Sequence, residues 1–211
     1  MEASQSHSPE SARSERSTDE LDATTREHLR AVELTSVQGE TEVDPWDKHT
    51  YVRLALPHDC KVAGHFEEHL GDKVMVVDDI EVNPDLRGHG IGKRLLQSLA
   101  TTARAGGAQS LYGSLRSEAA LHNRLQTFGS DNVTIYEPRM EGGVYTEEPL
   151  PLSRDEAIAS LRRVREAFAA GGSQNPTLEV KVDLANIDMT DWEYPIDRRN
   201  QPMALPETPS Y

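Results

Sequence analysis

The stretch from Ile80 to Leu96 places three glycines at alternate positions between a predicted strand and a predicted helix. Gly88, Gly90 and Gly92 can expose backbone N–H groups with no side chain in front of them. The first turn of the helix adds N–H groups without an intrahelical partner and a partial positive charge. Because this arrangement binds phosphate, the sequence predicts a phosphate site at the start of the helix.

Two common phosphate-binding loops do not fit this stretch. The glycine spacing is not the G-x-G-x-x-G of a dinucleotide-binding fold, and the Gly-Lys-Ser/Thr ending of a Walker loop is missing. The local charge does suit a small polyphosphate, since no Asp or Glu occurs between Leu86 and Ser117. The same window carries five basic residues: Arg87, Lys93, Arg94, Arg104 and Arg116.

The hexapeptide that begins at Arg87, RGHGIG, matches R/Q-x-x-G-x-G/A, the pyrophosphate signature of the GNAT superfamily of N-acetyltransferases. Its context is also similar to that family: a strand, Val82-x-Pro84, the signature, and a long amphipathic helix. The resemblance is strongest over Val74–Ala105 and extends over Tyr51–Tyr136. It implies an α/β (α+β) fold with a mixed, mostly antiparallel central sheet and flanking helices.

The resemblance also implies a function, the transfer of an acetyl group from acetyl-CoA to a primary amine of a small molecule or protein by direct attack. The backbone N–H of Val82 is then expected to polarise the thioester carbonyl. The residues expected around the pyrophosphate are Arg87, Gly88, His89, Gly90, Ile91, Gly92 and Lys93. The alternative is a non-catalytic module that binds acyl-CoA or another partner.

Direct transfer needs a neutral amine and therefore a general base near the thioester. The candidates on the central strand are Asp78, Asp79 and Glu81, of which we favour Glu81 and then Asp79. A strict two-residue period puts both on one face with Met75 and Val77, and Asp78 on the other face. A β-bulge, which the family often has at this place, would change that alternation.

Two departures from the family pattern bear on catalysis. The usual general acid is a tyrosine on the helix after the next strand, but Leu125 stands at that position when Gly129 is set on the family glycine. Tyr136 is our candidate for the acid, with Tyr112 and His122 as alternatives. The second departure is a short gap, Gln38–His49, between the first two predicted strands, which predicts a shortened first helical pair.

His65 and His69 belong to an H-x-x-E-H pattern, which binds zinc when it lies on a helix. Here the flanking residues predict a hairpin, and on a strand the two histidines lie about 13 Å apart. We therefore predict no metal site.

The elements that must position these residues follow from hydrophobic periodicity and turn signals. A stripe of six apolar residues predicts a helix over Ile91–Arg104. Ser153 and Glu156 form a capping-box pattern at the start of a later helix, which is expected to end at Gly171-Gly172. The buried face of that helix is predicted to carry Ile158, Leu161, Val164 and Phe168. A second helix is predicted over Glu118–Phe128. The predicted strands are His28–Val37, Thr50–Leu56, Lys61–Leu70, Lys73–Val82, Gln109–Leu115, Val133–Tyr136 and Thr177–Leu184.

Composition gives the domain limits and excludes several classes of protein. Residues 1–27 are polar and predict a disordered tail, residues 28–194 the acetyltransferase-like domain, and residues 195–211, with four prolines, an extended tail. A net charge of −14 argues against nucleic-acid binding. With a single cysteine and no long apolar run, we expect a cytoplasmic protein without a membrane partner. A homodimer is compatible with the sequence.

Overall fold

A computed structural model describes residues 22–69, 71–137, 140–141, 144–145, 151–169 and 177–206 of the chain. Its helices are α1 (Ala23–Leu34), α2 (Ile91–Ala105), α3 (Glu118–Phe128) and α4 (Arg154–Ala169). Its strands are β1 (Gln38–Val43), β2 (Thr50–Leu56), β3 (Cys60–His69), β4 (Asp72–Glu81), β5 (Ser110–Leu115), β6 (Val133–Tyr136), β7 (Met140–Glu141), β8 (Val144–Tyr145), β9 (Pro151–Leu152) and β10 (Leu178–Asp183).

Eight of the strands form one sheet in the order β1-β2-β3-β4-β5-β10-β6-β9. Neighbouring strands pair antiparallel except β4 and β5, which pair in parallel because α2 carries the chain from one to the other. The predicted fold class, a mixed and mostly antiparallel sheet with flanking helices, is confirmed.

Helix α2 covers the middle of the sheet with the stripe that its sequence predicts. All six stripe residues are buried: Ile91, Leu95, Leu96, Leu99, Ala100 and Ala103. They pack in one core with Leu54 of β2, Val62 of β3 and Met75 of β4. Each fully buried leucine contributes about 2 kcal/mol to folding, so this packing fixes the start of α2 relative to the end of β4.

The strand predicted over His28–Val37 is wrong. Residues 23–34 form α1, whose N-cap Asp22 accepts a hydrogen bond from the backbone N–H of Thr25 at 2.9 Å. The cap starts the helix inside the predicted tail, while residues 1–21 lie outside the described part. The first strand is β1, and residues 44–49 join it to β2 without a helix, in agreement with a shortened first helical pair.

The segment 195–206, which belongs to the predicted extended tail, packs against the domain. The N–H of Ile196 donates to the carbonyl of Val37 at 3.0 Å, and its own carbonyl accepts from Gly39 at 2.7 Å. Met203 is 4% exposed and lies directly over Gly39, where a Cβ would collide with its sulfur. Backbone pairing with β1 and this buried side chain hold the segment in place; residues 207–211 are not described.

The remaining predicted elements are largely confirmed. β2, α3 and β6 have the predicted bounds, and β3, β4, β5, β10 and α2 differ by one or two residues at their ends. The capping box is present, since Ser153 donates its backbone N–H to Glu156 at 2.8 Å. The side chains of Val164 and Phe168 and the pair Gly171-Gly172 lie outside the described residues.

Arg94 and Glu193 join α1, α2 and the C-terminal segment. Arg94 donates to a carboxylate oxygen of Glu193 at 2.7 Å and to the carbonyls of Val32 and Thr35 at 2.6 and 2.7 Å. The other carboxylate oxygen of Glu193 accepts the N–H of Val37 at 2.6 Å. Arg94 therefore has a structural role.

We expect Glu193→Ala to lower the free energy of unfolding by about 2 kcal/mol, the size of a hydrogen bond to a charged group. Urea denaturation measures this change. Glu33→Ala removes an exposed carboxylate from α1 and is the matched control. Equal destabilisation by the two substitutions would contradict the structural role of Glu193.

Candidate active site

The loop between β4 and α2 is anchored at both ends. The side chain of Asn83 accepts the N–H of Asp85 at 3.0 Å and starts a single turn of 3-10 helix over Pro84–Leu86. Leu86 is fully buried in the core. Arg87 then folds back, and its Nε donates to the carbonyl of Val82 at 3.1 Å. These contacts hold the glycines that follow in a fixed position.

Gly88 and Gly90 adopt backbone conformations with positive φ, which favour glycine. Their φ angles are +87° and +77°, and a Cβ on either would meet no atom within 4 Å, so both face open space. Gly90 is the N-cap of α2 and supplies no side-chain cap, and the first turn contains no acidic residue. The first-turn N–H groups of Ile91, Gly92 and Lys93 are therefore available to an anion.

The basic window around the loop divides into two groups. Arg87 and Lys93 are exposed beside the glycines. Arg94 bonds to Glu193, and Arg104 donates to the carbonyls of Leu184 and Ile187. The positive charge that can reach an anion at the loop therefore comes chiefly from Arg87 and Lys93 and the helix N-terminus.

The two central strands separate towards the loop. β4 pairs with β5 only from Val74 to Val77, where Val77 lies opposite Gly113, whereas β4 pairs with β3 as far as Glu81. The edge of β4 that faces β5 therefore has no ladder partner from Asp78 to Glu81. The gap between the strands, which we call the slot, begins beyond the Val77–Gly113 pair and runs along β4 towards the glycine loop.

A β-bulge at Asp78 changes which residues share a face. Val77 lies opposite Gly64 and Asp79 lies opposite Ala63, so Asp78 is the extra residue. Gly64 permits this close approach, because a Cβ there would lie 2.5 Å from the carbonyl oxygen of Val76. The expected grouping of Asp79 and Glu81 with Met75 and Val77 is wrong, since the bulge resets the alternation.

After the bulge the three carboxylates share the sheet face opposite α2, which we call the open face. Glu81 lies across from Lys61 and pairs with it at 2.9 Å, and Asp79 lies across from Ala63 on the same face. Asp78 reaches His65 on β3, with 2.9 Å between its carboxylate and Nδ1. The structure thus places all three predicted base candidates on one face of the sheet, along the segment of β4 that has no ladder partner in β5.

A cluster of rings surrounds the Asp78–His65 pair. The ring of His65 stacks on His49 at 5.0 Å between centroids and lies 5.2 Å from the ring of Tyr51. A hydrogen bond to Asp47 raises the pKa of Tyr51 to about 12, so this phenol stays protonated at neutral pH. The sequence distinguishes His65 only by its zinc-like spacing; its pairing with Asp78 depends on strand register, which that motif does not show.

His65 and His69 lie on β3, as predicted, and have different neighbours. Whereas His65 bonds to Asp78, the ring of His69 lies 5.3 Å from that of Tyr112. An open groove of about 200 Å³ runs beside them on the open face. Its lining is partly acidic and includes Glu67, His69, Val74, Val76, Tyr112, Ser114 and Glu179.

The candidates for the general acid lie at different distances from the slot. Tyr112 lies beside Val76 on β5, with the ammonium of Lys181 5.6 Å from its ring centre. Tyr136 lies on β6, three strands from β4, which is about 14 Å. The structure therefore does not bring Tyr136 to the carboxylates, while His122 is exposed on α3.

Helix α3 also brings two residues to the slot that sequence reasoning missed. The side-chain amide of Asn123 lies 2.9 Å from the position that a Cβ on Gly92 would occupy. Arg124 is buried beside Gly113. In the sequence both residues look like ordinary polar positions on an amphipathic helix, and only the packing of α3 distinguishes them.

The Lys61–Glu81 pair gives a testable titration. The hydrogen bond and charge of Lys61 hold the pKa of Glu81 below its usual range. A lowered carboxyl pKa stabilises the folded state above the unfolded-state pKa, and this contribution disappears as the pH falls through the folded-state pKa. In Lys61→Met we expect Glu81 to titrate at higher pH in an NMR titration of its side-chain carbon. An unchanged midpoint would contradict the role of Lys61.

The sequence model of the acetyltransferase (GNAT) family matches residues 15–125, more than half of the 211-residue chain. The chain therefore belongs to the GNAT family of acetyltransferases. A comparison with curated protein sequences finds no match. No helix in the described ranges is long and apolar enough to cross a membrane.

Solved structures of acetyltransferases show a distant likeness. N-acetylglutamate synthase from Neisseria gonorrhoeae, complexed with coenzyme A and N-acetyl-glutamate, is 14% identical with a TM-score of 0.36; the match covers 64% of this chain and 26% of the synthase. An acetyltransferase from Bacillus subtilis in complex with CoA is 10% identical with a TM-score of 0.40, over 70% of this chain and 98% of that one. The IAA acetyltransferase from Bacillus cereus is 14% identical with a TM-score of 0.37, over 70% and 99%.

Proposed function

We propose that the protein transfers the acetyl group of acetyl-CoA to a primary amine by direct attack of the amine on the thioester. The observation that carries this proposal is the slot between β4 and β5. It leads from the glycine loop at the start of α2 to three carboxylates on the open face of the sheet. One end suits a polyphosphate, and the other suits an amine that must lose a proton.

The loop residues fit the pyrophosphate of CoA. The glycines at 88 and 90 leave space in front of the chain, and the first-turn N–H groups of α2 are free to donate. Arg87 and Lys93 supply positive charge without a nearby acid in the first turn. The unpaired edge of β4 offers backbone groups to the pantetheine arm, and the N–H of Val82 is our candidate donor to the thioester oxygen.

The general base belongs among the carboxylates at the slot. The sequence favours Glu81, but the contact with Lys61 lowers its pKa and makes it a weaker base. Asp79 forms no hydrogen bond or ion pair with the residues that the structure describes. We therefore assign the base to Asp79, with Glu81 second, and we assign no acid role to Tyr136 because of its distance from β4.

The acceptor approaches from the open face. The carboxylates there and the acidic lining of the groove beside them favour a positively charged acceptor. The buried stripe of α2 packs on the opposite face, and residues 44–49 join β1 to β2 without a helix. An extended acceptor, such as a polyamine or a lysine-containing peptide, suits a broad acidic surface of this kind.

Calorimetry and a thiol-release assay test the proposal in two stages. Acetyl-CoA is expected to bind in the micromolar range, and a panel of polyamines and lysine peptides is expected to release free CoA thiol. Absence of binding at millimolar acetyl-CoA would overturn the proposal. Binding without thiol release for any amine would favour the alternative, a module that binds acyl-CoA and does not catalyse transfer.

A further inference from the structure

Arg124 on α3 is a buried cation without a counter-ion in the part of the chain that the structure describes. It is 5% exposed, and it forms no hydrogen bond or ion pair with a described residue. Burial lowers the pKa of its guanidinium to about 10, so the group still carries its charge at neutral pH. A buried and unpaired charge costs folding free energy, which indicates that it serves another purpose.

The guanidinium lies at the closed end of the slot. One of its terminal nitrogens is 3.7 Å from the position that a Cβ on Gly113 would occupy. Gly113 lies opposite Val77 in the last pair of the β4–β5 ladder. Gly113 has no side chain to come between the guanidinium and the point where the two strands separate.

Arg124 lies on the same face of the sheet as the glycine loop. Helices α2 and α3 pack against each other, and Asn123, the neighbour of Arg124, lies against Gly92 at the start of α2. The wall of the slot on this face therefore runs from the phosphate site to the guanidinium. The carboxylate Asp79 lies on the opposite face, where the amine approaches.

Other charged groups on the surrounding elements are paired or lie elsewhere. Arg94 of α2 pairs with Glu193, Arg162 of α4 pairs with Glu118 of α3, and His122 is exposed. The carboxylates of Asp78 and Glu81 bond to His65 and Lys61 on the open face. Among the residues that the structure describes, Arg124 is therefore the charged group that faces the closed end of the slot.

We propose that Arg124 stabilises the thiolate of CoA as it leaves the tetrahedral intermediate. The amine nitrogen bonds to the acetyl carbon and gives its proton to the base, and the C–S bond breaks with its electron pair moving to sulfur. The guanidinium offsets the negative charge on sulfur, and the thiolate takes a proton from water on release. This inference rests on the proposed function. It also accounts for Leu125 at the usual position of the acid, since a fixed cation removes the need for immediate protonation.

The test measures the thiol pKa of bound CoA and needs no acceptor. The ultraviolet absorbance of the thiolate is followed against pH in the CoA complex, with the desulfo-CoA complex as a blank for Cys60. In the wild type we expect a thiol pKa at least one unit, or tenfold in acidity, below the ordinary value of about 8.5. Arg124→Met and Arg124→Gln are expected to restore the ordinary value, and Arg124→Lys to keep part of the shift.

Arg30→Met, which removes an exposed arginine from α1, is the matched control and is expected to leave the thiol pKa unchanged. Both neutral variants are expected to melt no lower than the wild type without ligand, because each removes an unpaired buried charge. The same thiol pKa in the wild type and in a folded neutral variant would overturn the inference while CoA binding still supports the proposed function. Failure of CoA to bind the wild type would overturn both.

Discussion

Replacing Gly90 with valine is expected to weaken CoA binding at least tenfold, or about 1.4 kcal/mol. Two effects combine. A β-branched residue is strained at a φ of +77°, and its side chain would stand in the open space in front of the first-turn N–H groups of α2. Isothermal calorimetry with CoA measures the change, and a melting curve reports the cost to the fold.

Gly71 provides a closely matched control. Its φ is +87°, and a Cβ there would also meet no atom within 4 Å, but it lies in the β3–β4 turn at the opposite end of β4. Gly71→Val should therefore cost a similar amount of stability, of the order of 1–2 kcal/mol, and leave CoA affinity unchanged. Equal loss of affinity in the two variants would show that the effect at Gly90 is global destabilisation.

The loop could be predicted from sequence because its signals are local. Alternate glycines, Pro84 after a buried strand, and a helical stripe beginning at Ile91 all lie within a short stretch, and each has a direct backbone meaning. The same holds for α2, whose buried face matches the predicted stripe. Features that depend on one segment and its immediate neighbours were predicted with nearly correct bounds.

The first helix could not be distinguished from a strand because its apolar face is weak. Only Thr25 and Val32 of α1 are buried, and Leu34 is 80% exposed. Without a continuous stripe, periodicity does not separate helix from strand. The available signal is the N-cap Asp22, which lies within the polar stretch of residues 1–27.

The arrangement of the charged groups depends on tertiary contacts that no short motif shows. The bulge at Asp78 follows from the fit of Gly64 against the backbone of β4, and it moves Asp79 and Glu81 to the open face. In the sequence Arg124 looks like an exposed charge on a helix, and its burial follows only from the packing of α3 beside Gly113. The cofactor loop could therefore be predicted from the sequence, whereas the assignment of catalytic residues requires the strand register and the packing of the helices on the sheet.

Asp79→Asn is expected to lower kcat by about 10²–10⁴-fold with an amine found in the thiol-release screen, because the amide cannot accept the proton. Glu81→Gln is expected to cost less than tenfold, since Lys61 already holds that carboxylate. Glu68→Gln, an exposed change on β3, is the control and should leave kcat unaltered.

The pH profile separates a lost base from a lost contact. In the wild type kcat/KM should fall on the acid side as the base becomes protonated, and Asp79→Asn should remove that limb while KM for acetyl-CoA stays constant. A larger loss in Glu81→Gln than in Asp79→Asn would reverse our assignment and restore the order that the sequence favours. Wild-type kcat in both variants would exclude both carboxylates as the base. The base would then be His65, which Asp78 orients at 2.9 Å on the same face.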